Sequence, residues 1–218
     1  MRASTLALVA LATVTASPAF ADIIEVAASS IQGDNVLFNG GTQTGTTVMG
    51  QTQLGTDVLF TGTTLGGGNT IIAAGGQARI EGALDTSTRN PNDTLLLNSL
   101  NFSLAGGGTF NNLEFNVFGG TATSATFLIT NNQGQVTPFT ETLGNGQNFF
   151  AFQGIKGQSI ASVAASFTGG GTLDLRQIRL DQSAVSGVPE PASWALLALG
   201  FLGLGFIGCQ QKMQLRLY

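Results

Sequence analysis

Histidine is absent from this 218-residue chain, and cysteine occurs once, at Cys209. The first absence removes Ser-His triads, histidine general bases and His-containing zinc sites. The second leaves residues 22–187 without a thiolate nucleophile or a disulfide. Tryptophan and tyrosine also occur once each, as Trp194 and Tyr218. The body therefore lacks the aromatics that usually line sugar clefts. Only phenylalanines such as Phe149, Phe150 and Phe152 remain for stacking, and most of these are expected in a core. Charge is scarce as well. Residues 22–187 hold eleven Asp and Glu against five Lys and Arg, a net charge of −6. A nucleic-acid partner needs a basic footprint, so nucleic acid is excluded.

Both ends read as processing segments rather than folded structure. The N-terminus is MRASTLALVALATVTASPAFA. Arg2 supplies the positive start, Leu6 to Val14 the apolar stretch, and Ala19 and Ala21 the two small residues a signal peptidase inspects. Cleavage is predicted between Ala21 and Asp22. The apolar stretch falls short of the roughly 20 residues a spanning helix needs. Removing both ends leaves residues 22–187, enough for one domain with its own core.

That body is built of short alternating runs punctuated by Gly and Asn. Leu100, Phe102 and Leu104 recur with period two, as do Leu113, Phe115 and Val117. In a strand such residues share one face, so the pattern buries Phe and Leu and leaves Asn, Ser and Glu on the other side. Ten runs are predicted as strands: NVLFNGG, DVLFTGTT, NTIIAAGG, QARIEGAL, LNSLNFSLAGGG, TFNNLEFNVFGG, TATSATFLITNNQGQ, NFFAFQG, QSIASVAASFTGGG and TLDLRQIRLD. No stretch of the body shows a helical period. The expected fold is all-β, an antiparallel β-sandwich with an N-terminal signal helix and one C-terminal transmembrane helix. The echo of NVLFNGG in DVLFTGTT, 22 residues later, leaves a β-solenoid as the alternative. Two similar hairpins in one sandwich explain it with fewer assumptions.

Chemistry is thin. TLGGGNT and LAGGGTF lack the Lys-Ser/Thr of a phosphate loop and read as turns. Glu81, Glu114 and Glu141 are the carboxylates a glycosidase would use, but nothing in the sequence pairs them. Glu114 lies opposite the Leu113–Phe115–Val117 face and is expected toward solvent. Asp85, Asn90, Asn92 and Asp93 offer oxygen ligands to a hard cation such as Ca²⁺. The alternative for that loop is a solvated turn. Asp174 and Asp181 are expected to pair with Arg176 or Arg179, or to face water. The expectation is a non-enzyme, with no cofactor beyond that Ca²⁺ candidate.

Near the C-terminus, Pro189 and Pro191 fix the backbone, and a helix can begin with Pro191 in its first turn. Ala192 to Gly208 is uncharged and holds eight Leu, Ile and Phe, with Trp194 at one end and Lys212 and Arg216 beyond the other. Seventeen helical residues reach about 25 Å, short of the roughly 30 Å hydrocarbon core. The basic residues favour a cytoplasmic tail with the body outside.

Pro189-Glu190-Pro191, the Trp, the Gly/Leu/Ala-rich span and the basic tail resemble a PEP-CTERM sorting signal. The resemblance covers roughly Val188 to Lys212. It departs from the family in its tail, where CQQKMQLRLY spreads two basic residues over ten. A permanent membrane anchor and a buried core helix are the alternatives. The resemblance implies a bacterial protein recognised at Pro189, Glu190 and Pro191 by exosortase, a membrane-embedded cysteine transpeptidase. It also implies association with extracellular polysaccharide. GQNFFAFQGIKGQSIASVAASFTGGGTLDLRQIRLD resembles the closing strands of jelly-roll-like sandwiches in such proteins and in carbohydrate-binding modules. The expected organisation is a signal peptide at 1–21, a sandwich at 22–187 and a sorting signal with its helix at 188–218. The expected protein is exported to the cell surface or matrix after transient inner-membrane anchoring, with a structural or adhesive role. The alternatives are a carbohydrate- or calcium-binding module and a secreted carboxylate-based hydrolase.

Overall fold

The computed structural model describes residues 23–74, 79–83 and 94–182. They all fall within the unit Ala21–Ser186. The signal segment with Ala19, Ala21 and Asp22 lies outside the described residues, as does the calcium candidate Asp85, Asn90, Asn92 and Asp93. The tail with Pro189, Glu190 and Pro191 lies outside them too, so neither expected helix falls on described chain.

Strand follows strand throughout. β1 (Ile23–Val26) leads through a 3-10 turn at Ala28–Ser30 to β2 (Asp34–Leu37), β3 (Gln43–Gly45) and β4 (Thr47–Thr52). Next come β5 (Asp57–Thr64), β6 (Ile71–Ala74), β7 (Arg79–Ala83), β8 (Thr94–Leu95) and β9 (Leu97–Leu104). The chain continues as β10 (Asn112–Phe118), β11 (Ser124–Asn131), β12 (Val136–Thr142), β13 (Gln147–Gly154), β14 (Ile160–Thr168) and β15 (Asp174–Asp181). All ten predicted runs became strands. β1, β3, β4, β8 and β12 were not foreseen.

The strands form two sheets. The first runs β1-β13-β10-β15, then β7, β6 and β3, with β8 paired to β7. The second runs β12-β11-β14-β9-β5-β4. β2 belongs to both: Asp34 and Asn35 pair with β15, and Val36 and Leu37 pair with β4. A strand that changes sheet in this way makes a corner of the sandwich. Every ladder between the described strands is antiparallel. That excludes the solenoid, whose rungs stack in parallel. The two echoing segments became β2 and β5, which flank β4 on its two sides.

Phenylalanines fill the space between the sheets. Phe60 packs on Phe102 at 5.6 Å within the second sheet, and Phe102 meets Phe115 of the first edge to face at 6.0 Å. Phe127 from β11 then packs at 5.2 Å on Phe115 and at 4.8 Å on Phe150. Each buried ring contributes about 1.5–3 kcal/mol by leaving water, and aromatic pairing adds to that. Gly62 sits in the same layer because nothing larger fits. A Cβ there would lie 2.8 Å from the Ser99 carbonyl oxygen and 3.0 Å from Ile71. The two glycine runs are turns, as expected: Gly66, Gly67 and Gly107 all take positive φ.

Candidate binding face

Backbone register decides which polar side chains meet on the outer face of the first sheet. Val26, Ala151, Glu114, Arg179 and Asn35 form one line across β1, β13, β10, β15 and β2. Phe149, Asn116, Arg176 and Arg79 form the next, across β13, β10, β15 and β7. Gln147, Phe118, Asp174 and Glu81 form the third. Residues in one line point to one side of the sheet. The opposite side carries Val117, Leu175 and Ile80, all fully buried in the core.

Arg176 and Arg179 should not share a face, because three residues separate them and side chains alternate. A bulge resolves this. Glu114 pairs with Arg179 and Asn116 with Arg176, so Gln177 and Ile178 together oppose Phe115. Gln177 takes φ 55° there, and its side-chain carbonyl accepts the Asn116 amide at 3.0 Å. The extra residue turns both guanidiniums outward while Leu175, Ile178 and Leu180 stay in the core. The run LDLRQIRLD carries this signal in its apolar spacing, three residues and then two, which reading by strict alternation passes over.

The acidic groups lie deep and the basic groups lie above them. The Asp174 side chain is only 1% exposed and Arg79 is 47% exposed. Arg176 grips Asp174 through Nε and Nη2. The Arg79 Nε adds a contact to Asp174 at 3.4 Å, and its Nη2 pairs with Glu81. The Arg176 guanidinium also lies 3.7 Å above the Phe118 ring, a cation–π contact. Asp174 thus pairs with Arg176, as the sequence suggested. Asp181 accepts a hydrogen bond from the Asn112 amide at 2.9 Å.

Glu114 corrects an expectation. It does lie opposite the apolar face of β10, but it is buried rather than turned to water. Arg179 reaches its Oε1 at 3.4 Å and Asn35 at 3.1 Å. Its Oε2 has no hydrogen-bond partner among the described residues, and neither has Asn112 Oδ1. Burial pushes the Glu114 carboxyl above its ordinary range, and Arg179 offsets part of that rise. Beside these groups Phe149 stands 43% exposed, while Phe150 and Phe152 are core.

The three candidate glutamates do not converge. Glu141 lies on β12, in the second sheet, at the edge strand. There it meets Glu25, whose carboxyl is pushed up by burial and then by Glu141. Glu81 and Glu114 share the first sheet's outer face, but β15 stands between their strands. Two strand spacings put them roughly 10 Å apart across the sheet, and they are further displaced along it, beyond glycosidase spacing. Among the described residues no three His, Cys, Asp or Glu side chains cluster in a way that could hold a metal ion.

No family model and no curated protein matches the chain. Several solved structures are similar to it. A family 11 carbohydrate-binding module from a cellulosomal cellulase of Clostridium thermocellum matches with TM-score 0.34 and 13% identity, over 71% of this chain and 96% of that one. The same family's module in complex with a β-1,3-1,4-mixed-linked tetrasaccharide matches with TM-score 0.31 and 15% identity, over 71% and 98%. A mutant family 29 carbohydrate-binding module matches with TM-score 0.31 and 8% identity, over 78% and 99%. Likeness at this level carries no argument. The two-sheet architecture rests on the strand ladders themselves.

Proposed function

We propose that this chain is an exported, non-enzymatic surface or matrix protein whose sandwich binds extracellular polysaccharide on the outer face of the first sheet. Its address comes from the C-terminal sequence, with exosortase recognising Pro189, Glu190 and Pro191 while the following helix holds the chain in the membrane.

One observation carries the binding reading: the unpartnered Oε2 of the buried Glu114. A buried acceptor without a donor costs about 1–3 kcal/mol, so a ligand that supplies the donor gains that much. Asn112 Oδ1 is a second such acceptor, two residues along the same strand. The two stand roughly 7 Å apart along that strand. Sugar hydroxyls donate at such spacings. Arg79 and Arg179, both well exposed, offer donors in return. Phe149 offers an apolar ring for a sugar face. The face holds three arginines against Glu81, Glu114, Asp174 and Asp181, so a neutral chain fits it better than an acidic one.

The address has its own test. Mass spectrometry of the mature protein from native cells should find the segment after the Pro-Glu-Pro motif removed. An intact C-terminus would overturn exosortase sorting.

A further inference from the structure

The outer face of the second sheet has the opposite chemistry. Thr63, Ser99, Ser166, Thr126 and Thr140 stand in one rank across β5, β9, β14, β11 and β12. The next rank is Thr47, Thr61, Asn101, Ala164, Leu128 and Pro138, now including β4. The third is Met49, Leu59, Ser103, Ser162, Thr130 and Val136. None of these residues carries a charge. Met49, Leu128 and Val136 are exposed large apolar side chains.

We propose that this face packs against the same face of a second copy of the chain, an inference that goes beyond polysaccharide binding. Three observations support it. First, residues 22–187 carry a net charge of −6, so most approaches of two copies set like charges together, and this face avoids that. Second, four of its hydroxyls already bond in pairs: Thr63 with Ser99 at 2.7 Å and Thr126 with Thr140 at 3.2 Å. Covering them strands fewer donors than covering free hydroxyls would. Third, the size suffices. Strand and rank spacings give roughly 600 Å² per copy, or about 1,200 Å² buried in total, the lower limit for specific interfaces. Two such faces pack as sheets in a sandwich do, about 10 Å apart and related by a two-fold axis. Edge-to-edge pairing is less suited, because β12, the outermost strand of this sheet, contains Pro138.

The test uses the full chain in mild detergent, with Cys209→Ser to remove the native thiol. Ala164→Cys places a thiol near the centre of the face, and Phe149→Cys places one on the first sheet's outer face as a control. On mild oxidation without polysaccharide, Ala164→Cys should form disulfide dimers at least about tenfold faster than the control. Adding Leu128→Glu should slow that reaction by about tenfold or more, a loss of roughly 1.4 kcal/mol, with unchanged circular dichroism. Equal rates for the two cysteines would place the contact elsewhere, in the tail for example, and overturn the proposal. So would dimers that ignore Leu128→Glu, or the absence of dimers at high protein concentration. Failure here leaves polysaccharide binding on the other face standing, and loss of that binding leaves these dimers standing.

Discussion

Glu81 and Asp174 stand directly opposite each other in the β7–β15 ladder, and the guanidinium of Arg79 contacts both. Two buried carboxylates at adjacent positions repel unless cations lie between them. Arg79 and Arg176 fill that role, so the arginines hold this part of the first sheet's outer face together as well as facing outward.

The direction of damage in this network is asymmetric. Among the described residues, Arg176→Met leaves the buried Asp174 carboxylate with only the longer Arg79 contact. It should cost about 3 kcal/mol, near the lower end for breaking a buried pair. Asp174→Asn leaves guanidiniums that can turn to water and should cost about 1 kcal/mol. Urea melts of both variants, together with the double variant, check the ordering. A smaller loss for Arg176→Met than for Asp174→Asn would contradict it.

The bulge at Gln177 should be sensitive to side-chain shape. Gln177→Val forces a β-branched residue into positive φ and should cost about 1–3 kcal/mol. Gln177→Gly relieves the backbone while losing the Asn116 hydrogen bond, and should be near neutral. Thermal melts compare them. Deleting Gln177 restores strict alternation, with Ile178 alone opposite Phe115 and both arginines still outward, so the shortened chain should fold with a regular strand in place of the bulge.

Gly62→Ala should destabilise by about 1–3 kcal/mol, because the new methyl meets the Ser99 carbonyl and Ile71 in a filled layer. Chemical denaturation measures the loss. A stabilised Gly62→Ala protein would show that the layer has slack the structure does not record.

The pH dependence has a fixed sign. The Glu114 carboxyl is raised above its ordinary value of 4.5 by burial, with Arg179 pulling the other way. The folded state therefore holds its proton more tightly than the unfolded chain does. That contribution to stability is fully present below the ordinary value and fades as pH rises through the raised one. Denaturation at rising pH should show a loss that Glu114→Gln reduces, the remainder coming from Glu25, whose carboxyl is also raised.

Much of the fold was legible, and the reason is local. Leu100, Phe102 and Leu104 declare a strand by their own spacing. β4 was hidden because its inward positions are Val48, Gly50 and Thr52, a glycine and a threonine where core residues were sought. β12 was hidden because Phe139 is its one packed hydrophobic and Pro138 argues against a strand. The candidate face was legible only in part. The side of β10 taken by Glu114 followed from alternation, but its burial depends on neighbours distant in sequence. The meeting of Glu81 with Asp174 is set by strand register, which no single stretch of sequence contains.

Affinity electrophoresis of the full chain in mild detergent, through gels cast with neutral polysaccharides, tests the central claim most directly. Relative to a gel without polysaccharide, the native chain should be retarded by at least one of them, Glu114→Gln, which removes a carboxylate acceptor, and Phe149→Ala should be retarded less, and Leu128→Glu should still be retarded. Unretarded migration in every neutral polysaccharide, or retardation unchanged in Glu114→Gln and Phe149→Ala, would contradict the assignment of this face.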